Sequence, residues 1–212
     1  MRAFFRGWLT LAAITIWGLL LPALDPAFAA TEAGSVLAMR GQCFVITGSQ
    51  QTPLKLNDTV DVGDVAYAPV GAKLKLLMVD GSVISVGSGT KLAIQAYGFD
   101  KSSQHRSVVM ALAGGLLRAV VAKVAAPSVF EVTTATGVAA VRSTDWFIEN
   151  KGDSTRVGVL RGVVMLSGAA TGRAVKIPAR WGSHVAAGKD PVPARLWTKA
   201  EFADVIGRTD LN

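Results

Sequence analysis

The sequence has 212 residues, of which 50% are hydrophobic, and a formal net charge of +7 at pH 7. This length suits one domain, or one domain with a short appendage. Cys43 is the only cysteine, which excludes an intramolecular disulfide and a zinc site built from cysteines. The net charge fits anionic partners such as lipid headgroups or wall polymers. Aromatic residues are not interleaved with the scattered Lys and Arg, so we predict no nucleic-acid partner.

The N-terminal segment has the organisation of a secretory signal peptide. Arg2 and Arg6 precede an uncharged apolar run over 7–24, and Ala27-Phe28-Ala29 supplies the small residues of a cleavage site. We predict a signal peptide over 1–29, whose removal leaves about 183 residues with a net charge near +6. The apolar run is close to the limit of about 18 residues for a spanning helix, so an uncleaved N-terminal anchor is the alternative. We expect a periplasmic protein with no membrane span after cleavage.

The part of the chain from residue 36 to about residue 185 alternates apolar and polar residues in short, β-branched segments separated by Gly, Asp, Asn and Pro. This pattern is typical of many short strands. The predicted strands are 43–47, 60–62, 72–79, 82–86, 91–96, 108–112, 116–121, 129–133, 138–141, 146–149, 156–160 and 163–167. Asp80-Gly81 and the segment 150–153 predict hairpins, because these residue types accept positive φ.

Two similar segments indicate how the strands are arranged. Residues 109–114 and 157–162 each form an alternating strand that ends in glycine and is followed at once by another apolar strand. A chain that turns a corner at glycine fits a rolled or solenoid-like sheet. A sandwich or a distorted barrel has the same spacing and stays open as an alternative. The predicted fold class is therefore all-β.

One short C-terminal α-helix completes the predicted fold. Residues 198–201 match a capping box, and Trp197 and Phe202 occupy the positions of a hydrophobic staple. Gly207 is placed to end the helix. We assign residues 189–212 to a linker and this helix, and we expect the helix to dock on the sheet rather than to bind a partner.

The residues that commonly carry catalysis or bind metals are sparse. His105 and His184 lack an Asp or Glu at ligand spacing, so we predict no metal site. A single Asp80 cannot form the carboxylate pair of an aspartic protease. We interpret Cys43 as a small buried apolar residue, with a nucleophile paired with a histidine as the alternative. We predict no catalytic residue and no cofactor.

A succession of motifs along the chain resembles the FecR domain family, over about residues 36–188. The motifs are 56–58, 62–64, 72–77 leading into 80–86, 90–94, 112–118, 130–134, 139–147 and 157–164. The resemblance implies a periplasmic β-domain that receives or transmits signals by protein contact. In the ferric citrate regulator of that family, the domain couples an outer-membrane transporter to a cytoplasmic sigma factor.

The chain departs from the family pattern in two respects. The family usually has Arg-Gly-Thr where this chain has Arg142-Ser143-Thr144, and a side chain there would disfavour a positive φ. Residues 1–6 leave no room for a cytoplasmic sigma-binding segment, and no secretin-like signalling domain follows residue 188. We therefore expect a stand-alone exported FecR domain rather than a direct sigma regulator.

Three functions follow as hypotheses. The first is a non-enzymatic module in envelope signalling or scaffolding, with an envelope protein partner that contacts Arg142, Thr144, Trp146 and Trp181. For Arg142 and Trp146, a structural role is the alternative. The second is a cell-wall or polysaccharide-binding module, in which exposed aromatic residues and basic charge bind glycan or peptidoglycan. The third is a hydrolase or transpeptidase that acts through Cys43.

Overall fold

The computed structural model describes residues 31–126 and 128–211, so the predicted signal peptide lies outside the described residues. Within that part, the chain forms seventeen strands followed by one α-helix. The strands are β1 (Glu32–Arg40), β2 (Phe44–Thr47), β3 (Gln50–Pro53), β4 (Thr59–Asp61), β5 (Val65–Ala68), β6 (Lys73–Met78), β7 (Val83–Val86), β8 (Thr90–Asp100), β9 (His105–Val120), β10 (Ser128–Thr133), β11 (Gly137–Val141), β12 (Asp145–Asn150), β13 (Ser154–Arg161), β14 (Val163–Gly168), β15 (Ala174–Pro178), β16 (Trp181–Ala186) and β17 (Arg195–Leu196). The helix is α1 (Lys199–Thr209), so the predicted all-β class with one C-terminal helix is confirmed.

The strands form two layers that share β9. Sheet A has the order β4-β1-β6-β7-β9-β12-β13-β16-β17, and sheet B has the order β3-β2-β5-β8-β9-β10-β11-β14-β15. The chain alternates between the two sheets, as a rolled arrangement requires. Among the described strands, every pairing is antiparallel except that of β9 with β10.

Glycine marks two of the corners at which the chain changes sheet. The first part of β9 pairs with β8 and β10 in sheet B, whereas residues 115–120 pair with β12 in sheet A. Gly115 lies at this change with φ +94°, and Gly162 joins β13 to β14 with φ +88°. A Cβ on Gly162 would lie 2.7 Å from the carbonyl oxygen of Ser143, so this corner leaves no space for a side chain. The corner inferred at Gly162 is confirmed, whereas the one inferred at Gly114 lies one residue later, at Gly115.

The core lies between the sheets. Alternate residues of most strands point inward and form one hydrophobic cluster, exemplified by Leu74 and Leu76 of β6 and by Leu92 and Ile94 of β8. Each such side chain contributes about 1.5–3 kcal/mol on burial. The turn at Asp80-Gly81 joins β6 to β7, and the turn after Asn150 joins β12 to β13, which confirms both predicted hairpins.

Helix α1 begins as the sequence predicts and ends later. Thr198 and Glu201 form the capping box, and the Trp197 and Phe202 rings lie 5.2 Å apart between centroids. The prediction that Gly207 ends the helix is wrong, because the helix continues to Thr209. Lys73 Nζ of β6 donates hydrogen bonds of 2.7 Å to the carbonyl oxygens of Gly207 and Asp210. This lysine satisfies carbonyl groups that a left-handed glycine cap would otherwise serve.

The helix covers part of the outer face of sheet A, as expected. Val205 packs with Leu116 and Phe147 in a second, smaller apolar cluster. Beside them, Glu149 Oε1 accepts a hydrogen bond of 2.5 Å from Arg208. The described helix is too short and too polar to cross a membrane.

Candidate functional site

A groove of about 420 Å³ crosses the outer face of sheet B next to the turn that joins β11 to β12. Its walls come from residues of β10, β11 and β14 and from the turn itself. The lining residues are Ser128, Val129, Phe130, Glu131, Ala140, Val141, Arg142, Ser143, Thr144, Val163 and Met165. We call this feature the β10–β14 groove.

Three apolar side chains in the groove are open to solvent. Val129, Val163 and Met165 are 44%, 39% and 42% exposed. Strand register places Glu131, Ala140 and Met165 in one row across β10, β11 and β14. The exposed apolar residues are therefore neighbours on one sheet face, with a carboxylate from Glu131 among them. Contiguous exposed apolar surface with a polar surround is typical of an interaction site.

The turn beside the groove is held in place from the protein interior. Arg106 Nη2 donates a hydrogen bond of 2.6 Å to the carbonyl oxygen of Arg142. Thr144 Oγ1 donates to the carbonyl oxygen of Val163 at 3.3 Å, and Val121 N donates to the carbonyl oxygen of Thr144 at 2.9 Å. The backbone of the turn is thus fixed to β9, to β14 and to the chain after β9, and Arg142 projects from a rigid base.

Arg106 itself belongs to a buried ion pair. Its Nη1 lies 2.7 Å from Asp80 Oδ2, and both side chains are fully buried. Ser82 and Tyr97 also donate hydrogen bonds to the Asp80 carboxylate. Burial raises the pKa of Asp80, but the hydrogen bonds from Arg106, Tyr97 and Ser82 outweigh it and hold this pKa below its usual value. Burial and the neighbouring Asp80 charge raise the pKa of Tyr97, which stays a neutral donor.

The four predicted contact residues occupy three different environments. Arg142 is exposed at the β10–β14 groove, and Thr144 lines the groove but is only 4% exposed. Trp146 is fully buried in the core between the sheets, so its side chain lacks the surface position that the partner-contact prediction required. Trp181 is 38% exposed and lines a separate groove beside β15. The structure therefore brings together only Arg142 and Thr144.

Trp146 is buried because it lies on the face of β12 that points into the core. All six residues of β12 are buried, because the core covers one face of the strand and α1 packs over part of the other. Sequence analysis also missed the exposed apolar residues Val129, Val163 and Met165. The available signal was that these residues occupy outward positions of strands whose inward positions are already apolar.

The serine of the turn causes no backbone strain. Among the described residues other than glycine, positive φ occurs only at Asn57, Gln104 and Arg180. Ser143 therefore adopts an ordinary backbone conformation, and the family glycine is not needed for a left-handed residue here.

Cys43 has the environment of a buried structural residue. Its side chain is fully buried, and its Sγ donates a hydrogen bond of 3.4 Å to the carbonyl oxygen of Lys73. Burial raises the pKa of the thiol to about 11, so it is neutral near pH 7. His105 and His184 are exposed, and neither belongs to a metal-binding group of three or more His, Cys, Asp or Glu side chains in residues 31–126 and 128–211.

Part of the chain matches a known protein family. Residues 64–165 match the family model described as FecR protein. Two crystal structures of a "putative anti-sigma factor" from Parabacteroides distasonis ATCC 8503 superpose with a TM-score of 0.52 at 16% sequence identity. The alignment covers 66% of this chain and 62% of that protein, so this chain spans less than two thirds of the similar structures. At this identity the likeness concerns the fold. No curated protein matches the sequence.

Proposed function

We propose that this chain, which carries a FecR domain at residues 64–165, is a non-enzymatic periplasmic protein that acts in envelope signalling or scaffolding through protein–protein contacts. The observation that carries the proposal is the cluster of Val129, Val163 and Met165, exposed together in the β10–β14 groove. Binding of a protein partner would remove this apolar surface from water, which is favourable in free energy.

The surroundings of the groove suit recognition rather than catalysis. Arg142 and Glu131 place opposite charges on a largely apolar surface, which is the composition of a protein interface with an apolar centre and a polar rim. The Arg106–Asp80 pair is buried below the groove, and Arg106 holds the shape of the turn through its hydrogen bond to the Arg142 carbonyl oxygen. A pre-formed surface loses little conformational entropy when a partner binds.

The similarity to the Parabacteroides protein supports the signalling part of the proposal. That protein is described as a "putative anti-sigma factor", and its fold matches this chain over 66% of the length. We extend only a general regulatory role to this chain, and we propose that it acts by contact with an envelope protein. The partner is expected to place an apolar side chain against Met165 and an acidic group near Arg142.

In-cell photo-crosslinking tests the proposal directly. A photoreactive residue replaces Val129 in one variant and Val70 in a control variant. Val70 is 91% exposed in the turn between β5 and β6, so it is an equally apolar position outside the groove. We expect a discrete envelope protein to be attached at position 129 and not at position 70. Added Met165→Lys should abolish that product, because it places a charge in the apolar centre.

The same experiment can overturn the proposal. A product of equal yield at positions 129 and 70 would show that attachment reflects exposure alone. Glycan adducts at position 129, or attachment that survives Met165→Lys, would argue against a protein partner at this groove. Recovery of the protein in the cytoplasmic fraction would refute the periplasmic location.

A further inference from the structure

A second groove, of about 490 Å³, lies at the edge of sheet B. Its lining residues are Val175, Lys176 and Pro178 of β15, Trp181 at the start of β16, and Pro193 and Ala194 of the segment before β17. In the described strands, β15 pairs with β14 and no strand pairs with its other edge. We call this feature the Trp181 groove. It shares no lining residue with the β10–β14 groove, and its Lys176 lies opposite Met165 of that groove in the β14–β15 register.

The groove presents an aromatic surface with rigid walls. Trp181 is 38% exposed, whereas Trp146 and Trp197 are 0% and 6% exposed. Leu196 lies opposite Trp181 in the β16–β17 register and is itself 55% exposed. Pro178 and Pro193 flank the aromatic residue and restrict backbone motion. An exposed indole on a rigid support can stack on the apolar face of a sugar ring.

The charge around the groove is positive. Residues 173–195 contain five Lys or Arg residues and one acidic residue, Asp190. Asp190 lies 3.7 Å from Arg173, and Arg195 pairs with Glu201. Lys176, which lines the groove, forms no ion pair within the part of the chain that the structure describes. The groove thus offers a cation beside an aromatic ring, with no carboxylate in its lining.

We propose that the Trp181 groove binds an acidic polysaccharide. A sugar ring stacks on the indole of Trp181, and the carboxylate of a uronic acid unit pairs with the ammonium group of Lys176. A proline-rich peptide is a less suitable occupant. Such peptides bind grooves lined by several aromatic residues, whereas only one of the six lining residues here is aromatic. A long apolar helix is also less suitable, since it gains nothing from the unpaired lysine.

Calorimetric titration of the purified full chain tests the proposal with two probes, hexagalacturonate and the uncharged maltohexaose. We expect hexagalacturonate to bind at least tenfold more tightly, with an affinity that falls as salt is added. Trp181→Ala and Lys176→Glu should each weaken this binding at least tenfold. Lys101→Glu makes the same change in net charge in the turn between β8 and β9, and it should change the affinity less than twofold. Lys176→Glu alters an exposed residue, so it keeps the test valid if Trp181→Ala fails to fold.

Three results would overturn the proposal. The first is equal affinity for the charged and uncharged oligosaccharides. The second is unchanged binding by Lys176→Glu, or a similar loss in Lys101→Glu, which would indicate general attraction to a basic protein. The third is Trp181-dependent binding of a decaproline peptide without binding of hexagalacturonate. None of these results bears on crosslinking at Val129, so the two proposals can fail separately.

Discussion

The buried ion pair between Asp80 and Arg106 is the most informative feature to perturb. Arg106→Met keeps a long apolar side chain in the space between the sheets and removes the guanidinium group. The carboxylate of Asp80 then stays buried, with hydrogen bonds from Ser82 and Tyr97 but without a counter-ion. The carbonyl oxygens of Ala122 and Arg142 also lose their donor.

The expected cost follows from the burial of both partners. Removal of one member of a fully buried pair leaves an uncompensated charge and costs about 3–5 kcal/mol of unfolding free energy. Arg118→Met is the matched control, because Arg118 pairs with Asp145 while its own side chain is 25% exposed. Water can reach that pair, so the control should cost about 1 kcal/mol. Urea unfolding at pH 7, followed by circular dichroism, measures both values.

The pH dependence gives the prediction a second, independent readout. The pKa of Asp80 is below its unfolded value, so the pair stabilises the folded state above pH about 4 and this contribution is lost as pH falls through the folded pKa. In Arg106→Met, burial raises the Asp80 pKa because the main opposing hydrogen bond is gone. Protonation at lower pH then neutralises the unpaired Asp80 carboxylate and removes its destabilising charge. The difference in stability between the wild type and Arg106→Met should therefore be larger at pH 7 than at pH 4.5.

Two outcomes would refute this reasoning. Equal costs for Arg106→Met and Arg118→Met would mean that the buried environment adds nothing to the interaction. A difference between wild type and Arg106→Met that stays constant from pH 7 to pH 4.5 would mean that removal of Arg106 does not raise the pKa of Asp80, so that the carboxylate stays charged over this range. The double variant Asp80→Asn/Arg106→Met should recover part of the loss, because it leaves no charge in the core.

Three further predictions concern separate parts of the chain. Glu149→Gln should loosen α1, and this should be seen as faster hydrogen exchange in the helix. Burial raises the pKa of Glu149, but the hydrogen bond from Arg208 and nearby positive charges outweigh burial and hold this pKa below its usual value. In the wild type, the stabilisation by Glu149 is therefore present at neutral pH and lost on acidification. Gly162→Ala should cost about 1–3 kcal/mol more in thermal unfolding than Gly172→Ala, because both glycines have positive φ but only the first lacks space for a Cβ. Cys43 should resist iodoacetamide at pH 8 in the native protein and react fully in urea; rapid labelling without urea would contradict its burial.

The local parts of the fold could be predicted from the sequence, and the long-range parts could not. The Asp80-Gly81 hairpin, the corner at Gly162 and the start of α1 at Thr198 each depend on residues close together in the chain. The end of α1 depends instead on Lys73, which is more than 130 residues away along the sequence. Sequence analysis identified Asp80 only as a turn residue. Its pairing with Arg106 arises from contact between β9 and the β6–β7 turn.

The candidate site was also only partly predictable. Arg142 was identified through a motif resemblance, and the structure places it at the β10–β14 groove. Trp146 was chosen from the same motif, but its side chain points into the core between the sheets, and the motif does not show which face of the strand is turned inward. The run Trp146-Phe147-Ile148 lacks the alternation of apolar and polar residues, which indicates a strand that is buried on both faces.

The difference between the two sheet faces explains why a partner surface is expected on sheet B. Helix α1 already covers the outer face of sheet A, where Leu116 and Phe147 are 1% exposed beneath it. The outer face of sheet B has no such element in the described chain, and its apolar residues Val129 and Met165 remain open. In the described chain, no element covers the outer apolar residues of β10 and β14, and the proposed partner would cover them.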